Sequence, residues 1–179
     1  MLNSIKIEYV KTPYGELILG SYNDSLCLCD WRYRKMRISI DKRLKTILKA
    51  EFIEEKSRVV ENTMTQLNEY FNGERKVFDI PLLLVGSEFQ KSVWNALLQV
   101  PYGVTETYLG LSKNIKNEKA IRAVASANGA NAIAIIVPCH RIIGSDGSLV
   151  GYAGGLNAKR KLLNIEEALD NSQLSLFGD

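Results

Sequence analysis

The chain has 179 residues, of which 46% are apolar and 24% charged, so it can bury a core and is not a disordered polymer. No apolar run approaches the ~18–20 residues of a transmembrane helix and no signal peptide opens the chain, so no membrane span is expected, and the cytoplasm is the expected compartment. The net charge of +3 is unevenly spread: residues 86–165 carry nine Lys/Arg against four Asp/Glu, and the stretch from Glu166 onward has four acids and no base. A basic region before an acidic tail favours a polyanionic partner.

The N-terminal half reads as strands followed by helices. Ile5-Lys6-Ile7-Glu8-Tyr9 alternates as a half-buried strand does, and Thr12-Pro13-Tyr14-Gly15 is its turn. Glu16 to Gly20 and Leu26 to Trp31 are the next strands. From Asp41 the period changes, with Leu44, Ile47, Leu48 and Phe52 marking one helical face and Val60, Met64, Leu67 and Phe71 a second that ends near Gly73. Val77 to Val85 returns to an extended run broken by Pro81. These elements form a small α/β domain over residues 1–85, with no chemistry of its own and a supporting role. Cys27 and Cys29 alternate with leucines as small buried hydrophobes do. Three cysteines at these spacings make no disulfide framework, which suits a reducing compartment.

Residues 86–168 read as a second, mainly helical domain. Ser87-Glu88-Phe89-Gln90 is a capping box, and Phe89, Val93, Trp94 and Leu97 follow at helical spacing until Pro101-Tyr102-Gly103 stops them. A short helix from Thr107 to Lys113, a turn at Asn114–Asn117 and a second helix through Asn128 give a helix-turn-helix layout. Asn117 would cap the second helix and Gly129 would take its C′ position. Lys113, Lys116, Lys119 and Arg122 cluster on this unit. The small residues Ala120, Ala123, Ala125, Ser126 and Ala127 suit either tight helix packing or close approach to a groove.

Two apolar runs, Ile135-Ile136-Val137 and Ile142-Ile143, flank Pro138-Cys139-His140-Arg141, where proline ends any strand. His140 is the protein's single histidine. A thiol held at a corner beside an imidazole and a guanidinium is set up for thiolate chemistry.

The surrounding pieces occur in a characteristic order: Val100-Pro101-Tyr102-Gly103, Thr107-Tyr108, Ile121 to Asn128 with Arg122, Asn131, the Pro-Cys-His-Arg stretch, Gly151-Tyr152-Ala153-Gly154-Gly155 and Lys161 to Glu166. Together they resemble the methylated-DNA–protein-cysteine methyltransferases, or O6-alkylguanine-DNA alkyltransferases, most closely from Gly86 to Glu166. The resemblance implies repair of double-stranded DNA with alkylated bases: the alkyl group of O6-alkylguanine, with O4-alkylthymine as a second candidate, passes to Cys139 in one irreversible turnover. It implies His140 as the base, Glu166 as the group orienting its imidazole, Tyr108 as donor to a ring nitrogen of the leaving base, and Asn131 as the residue pinning the turn that carries Cys139. Lys119, Arg122, Ala123, Ser126 and Arg141 would contact DNA in a minor groove, Arg122 filling the gap left by a flipped-out nucleotide. The backbone around Tyr152, Ala153 and Gly154 would approach the base, glycine permitting the contact; some relatives have serine where Ala153 stands. No cofactor is needed, because the damaged DNA is the alkyl donor. Some relatives carry an N-terminal zinc site, but Cys27 and Cys29 are too few ligands here, so no metal is expected. The protein is expected to work as a monomer. A cysteine hydrolase would leave the helix-turn-helix and Arg122 unexplained, and the alkyltransferase-like lesion binders lack the cysteine.

Residues 169–179 form a tail expected to be flexible. It ends Gln173-Leu174-Ser175-Leu176-Phe177-Gly178-Asp179, resembling the short peptides by which bacterial replication and repair proteins dock on the polymerase sliding clamp. In that reading Leu176 and Phe177 fill an apolar pocket while Gln173 and Leu174 complete the contact.

Overall fold

A computed structural model describes residues 3–169. The N-terminal half holds a four-stranded sheet in the order β3-β2-β1-β4, built from β1 (Asn3–Thr12), β2 (Gly15–Tyr22), β3 (Ser25–Trp31) and β4 (Ala50–Glu54). The first three strands are antiparallel, and β4 runs parallel to β1, pairing Ile5 with Phe52. Two helices accompany the sheet, α1 (Arg37–Leu48) and α2 (Arg58–Phe71). Ser57 caps α2 by accepting a hydrogen bond from Val60 N. Val60, Leu67 and Tyr70 then face the core.

The expected helical face reaching Phe52 breaks at Lys49, which takes a left-handed conformation (φ 48°) and turns the chain into β4. Phe52 therefore lies in a strand. Ile47, expected inside, is 52% exposed, and the buried residues of α1 are Ile40 and Leu44. A single helical period cannot distinguish these positions, because the parallel partner of β4 lies more than forty residues earlier.

The C-terminal half is mainly helical, with α3 (Glu88–Leu98), α4 (Tyr108–Asn114), α5 (Ile121–Gly129) and α6 (Gly155–Ile165). Two short paired strands, β5 (Glu106–Thr107) and β6 (Ile142–Ile143), complete it. The capping box is present: Ser87 Oγ accepts from Gln90 N, and Gln90 Oε1 accepts from Ser87 N. Helices α4 and α5 form the helix-turn-helix, backed by α3. Trp94 fixes α3 to α5 by donating Nε1–H to Ala127 O at 2.8 Å, and its ring is 2% exposed. Truncating such a residue to alanine costs about 3–5 kcal/mol.

Two capping expectations for α5 are corrected. A 3₁₀ turn over Glu118–Ala120 precedes the helix, and Asn117 makes no side-chain cap bond. Gly129 is the last helical residue rather than a left-handed C′ position, and Ala130 caps the helix with its own N–H.

One apolar core runs through both halves, from Leu17, Leu19 and Tyr70 to Val93, Val137 and Cys139. The edge of β3 is not left open. Leu26 exchanges backbone bonds with Pro81 and Leu83, and Cys29 with Ala132 and Ala134. An exposed strand edge invites foreign strands; here two returning segments of the same chain cover it. The second of these leads directly into Pro138-Cys139.

Candidate active site

Residues 131–138, expected in part as a strand, form turns held by one side chain. Asn131 Nδ2 donates to Val137 O at 2.9 Å and to Ile133 O at 3.3 Å, and Asn131 Oδ1 accepts from Ile133 N at 2.9 Å. The fold needs this because Ile135 sits at φ 72°, a region β-branched residues avoid. That conformation diverts the chain from the sheet edge, and the next turn is the 3₁₀ segment Cys139–Arg141.

Cys139 is 4% exposed and lines the floor of a cleft of about 670 Å³. Tyr108, Ala125 and Asn128 lie on the helix-turn-helix side, and Gly151 to Gly155 form another side. Thr107 caps α4 through Gly110 N at 3.0 Å, which places Tyr108 at the first helical position. Gly154 has an ordinary φ of −86°, but a Cβ there would lie 2.4 Å from the Trp31 ring. Its need for glycine thus has a packing cause in addition to the expected closeness to a base.

Behind the thiol lies a buried polar cluster centred on Glu166, which is 2% exposed at the end of α6. Its Oε1 meets His140 Nε2 at 2.8 Å and accepts from Tyr70 Oη at 2.7 Å and Arg141 Nη2 at 3.0 Å. Its Oε2 accepts from Arg141 Nε at 2.8 Å and Gly103 N at 3.3 Å. Gly103 has φ 76°, and a Cβ there would lie 2.9 Å from Glu166 O, so both backbone and space call for glycine. Burial alone would raise the Glu166 pKa, but the hydrogen bonds and charges of His140 and Arg141 hold it well below the carboxylate range. An ionised carboxylate only accepts, so the Nε2 of His140 carries the proton and Nδ1 keeps its lone pair. That Nδ1 is buried and has no hydrogen-bond partner among the described residues.

His140 is fully buried, and burial lowers its pKa against the opposing pull of Glu166, so the imidazole is neutral at pH 7. Burial also raises the pKa of Cys139, with Asn131 opposing, so the thiol keeps its proton until a base removes it. Cys27 and Cys29 lie buried within β3 and do not line the cleft, and burial pushes the Cys27 thiol up to about 12.

Arg141, expected to contact DNA, is turned inward. It is 7% exposed, and its guanidinium closes on both Glu166 oxygens and on Val100 O at 2.6 Å. Its charge, assigned from sequence to the partner, is spent on the carboxylate. The other four candidates for DNA contact do share a surface: Lys119, Arg122, Ala123 and Ser126 are exposed, while Val124, Ala127 and Asn128 of α5 are buried. The tail residues Gln173, Leu174, Leu176 and Phe177 lie outside the described residues.

Sequence reasoning missed three contributors. Tyr70 reaches Glu166 from the N-terminal half, contrary to the purely supporting role expected there. Lys159 is buried with Nζ donating to Ile142 O and to Val150 O, and burial pushes its pKa down to about 8. Arg34, whose side chain is 6% exposed, donates to Asp30, Asn131 O and Gly129 O. A tyrosine, a lysine and an arginine within amphipathic stretches carry no local mark of these roles.

Residues 5–84 match the family described as 6-O-methylguanine DNA methyltransferase, ribonuclease-like domain, and residues 88–168 the corresponding DNA binding domain. A protein of Methanosarcina acetivorans named methylated-DNA–protein-cysteine methyltransferase is 46% identical over 156 residues, covering 87% of this chain and 94% of its own. One of the same name from Mycobacterium leprae is 41% identical over 169 residues, covering 93% and 94%. The crystal structure of Mycobacterium tuberculosis OGT in complex with DNA superposes with a TM-score of 0.78 at 37% identity, covering 97% of this chain and 99% of that one.

Proposed function

The chain belongs to the methylated-DNA–protein-cysteine methyltransferases, DNA repair proteins that take an alkyl group onto themselves, and we propose that in it Cys139 is the acceptor and His140 its base. One observation carries the assignment of roles: Glu166 holds Nε2 of His140 and leaves the Nδ1 lone pair, unpartnered among the described residues, on the buried residue next to Cys139. Side chains of consecutive residues rarely face each other, so a single water relays the thiol proton to Nδ1. The thiolate sulfur attacks the alkyl carbon of a flipped O6-alkylguanine, a sulfur–carbon bond forms, and the carbon–O6 bond breaks with its electron pair leaving on the base. Tyr108, on the cleft wall, donates its phenolic hydrogen to a ring nitrogen as that charge develops. The imidazolium formed at His140 is balanced by the ionised Glu166. The product is a thioether, so each molecule acts once.

Lys119, Arg122, Ala123 and Ser126 are the proposed DNA contacts, with Arg122 replacing the flipped nucleotide. Their shared exposed face and the small side chains on it support close approach to a groove. The backbone of Tyr152, Ala153 and Gly154 receives the base. O4-alkylthymine offers the same alkyl carbon on a smaller base and is the second proposed substrate. The sequence of Gln173 to Phe177 supports docking of the tail on a sliding clamp, tested by binding of a peptide spanning Ser172 to Asp179 and its loss with Leu176→Ala and Phe177→Ala. Among the described residues no helix is long and apolar enough to cross a membrane. Three unpaired thiols support a reducing cytoplasm as the site of action, and the protein is proposed to act as a monomer.

The deciding experiment is mass spectrometry after mixing with a duplex oligonucleotide containing O6-methylguanine. One methyl group per molecule is expected, on Cys139 and on neither Cys27 nor Cys29. A Cys139→Ala protein should bind the damaged duplex without demethylating it; demethylation by that variant overturns the assignment.

A further inference from the structure

The base cleft has a wall that its DNA-binding half does not supply. Tyr33, Arg34, Lys35 and Met36, all from the segment between β3 and α1, line the same cavity as Cys139 and Tyr108. From this placement we infer that Met36, with Tyr33, is a specificity-determining residue that receives the part of an alkyl group larger than methyl. The inference rests on the reading of this cleft as the base pocket.

Displacement at carbon requires sulfur, carbon and leaving oxygen in line. Any further atoms on that carbon therefore project sideways, across the cleft and not toward its floor. Two directions are taken: Tyr108 and Asn128 stand toward the helix-turn-helix, and Tyr152 to Gly154 stand where the base edge is received. The remaining wall is the β3–α1 segment. Its side chains suit a variable apolar group, since Met36 is 43% exposed and Tyr33 78% exposed. An unbranched thioether adapts its shape to what it meets.

The segment is nonetheless anchored. Arg34 spans its middle, joining Asp30 to the carbonyls of Asn131 and Gly129, with Nη2 also 3.9 Å from Met36 Sδ. Arg37 adds a second bond to Asp30 Oδ2 at 2.8 Å. Met36 itself is the N-cap of α1, its carbonyl accepting from Ser39 Oγ at 2.9 Å and Ile40 N at 3.1 Å. A fixed backbone bearing an adaptable side chain makes a wall that admits several alkyl shapes. The N-terminal half thus takes part in substrate choice.

The test uses one duplex sequence carrying either O6-methylguanine or O6-benzylguanine, so that DNA binding is common to both. The readout is the ratio of the two transfer rate constants in the full-length protein. Met36→Trp should lower the benzyl-to-methyl ratio about tenfold or more, the scale on which pocket size discriminates apolar groups. Ile38→Trp is the control: Ile38 is 84% exposed near the start of α1 and does not line the cleft, so the ratio should stay at the wild-type value. An unchanged ratio in Met36→Trp overturns the inference, as does an equal loss of both rates, or a shift in Ile38→Trp matching that in Met36→Trp. Urea unfolding of each variant separates a folding defect from a pocket effect. Failure of the wild-type protein to transfer methyl at all would instead remove the base-pocket reading beneath it.

Discussion

Tyr70, on the second helix of the N-terminal half, donates its phenolic hydrogen to Glu166 Oε1 at 2.7 Å, ninety-six residues away. The oxygen it reaches is the one that meets His140 Nε2, so a residue of the sheet-bearing half holds the carboxylate bonded to the proposed base. Tyr70→Phe keeps the ring and removes only this donor. The variant should lose about 1.5 kcal/mol of stability in urea unfolding, the lower end for a hydrogen bond to a charged group, because Arg141 and His140 remain on the oxygen. Its transfer rate should fall as well, and an unchanged rate would show that His140 needs no help from Tyr70.

Glu166→Gln separates the structural from the chemical role of the cluster. It leaves the buried Arg141 guanidinium without its charge partner, which costs about 3–5 kcal/mol. Adding Arg141→Met should restore part of the unfolding free energy while transfer stays low, since neither replacement fixes the His140 tautomer. Recovery of both together would show that Glu166 acts only through stability.

The pH dependence follows from burial. The folded pKa of His140 lies below its unfolded value of about 6.5, so above that value its contribution to stability is fully present. As pH falls from there, the unfolded chain takes up a proton before the folded one does, and the contribution is lost through the folded pKa. Glu166 has the same sign in a lower window, its contribution complete above about 4.3 and lost with further acidification. The transfer rate should accordingly hold between pH 7.5 and roughly 6.5 and decline at more acid values. A decline already centred above pH 7 in single-turnover rates would contradict a depressed His140 pKa.

Arg122→Ala should slow transfer on duplex DNA about tenfold or more, the loss expected if ~1.4 kcal/mol of compensation for base flipping disappears. The free modified base carries no flipping cost, and its rate should hardly change. Equal losses on the two substrates would place Arg122 in folding or in the pocket.

Tyr108→Phe should act on both substrates alike, again by about tenfold or more, because the leaving base needs its hydrogen bond in either setting. A loss confined to duplex DNA would make Tyr108 a DNA contact and not a donor to the leaving group.

Local patterns in the sequence determined a good deal of this protein. The strands to Trp31, helix α2, the capping box at Ser87–Gln90, the α4–turn–α5 unit and the Pro138-to-Arg141 corner were legible because each depends on neighbours a few residues apart. Cys139 stood out as the proposed nucleophile from the groups beside it, and Glu166 only through resemblance to a family. What the tertiary structure decided is which charges are used up and which walls meet. Arg141 looks like a DNA contact until Glu166 and Val100 O are brought onto it. The N-terminal half looks like bare support until Tyr70, Trp31 and the Tyr33–Met36 segment are folded against the site. Those relationships join residues separated by twenty-five to more than a hundred positions. No periodicity or spacing records them, because they arise only when one shared core brings the two halves of the chain together.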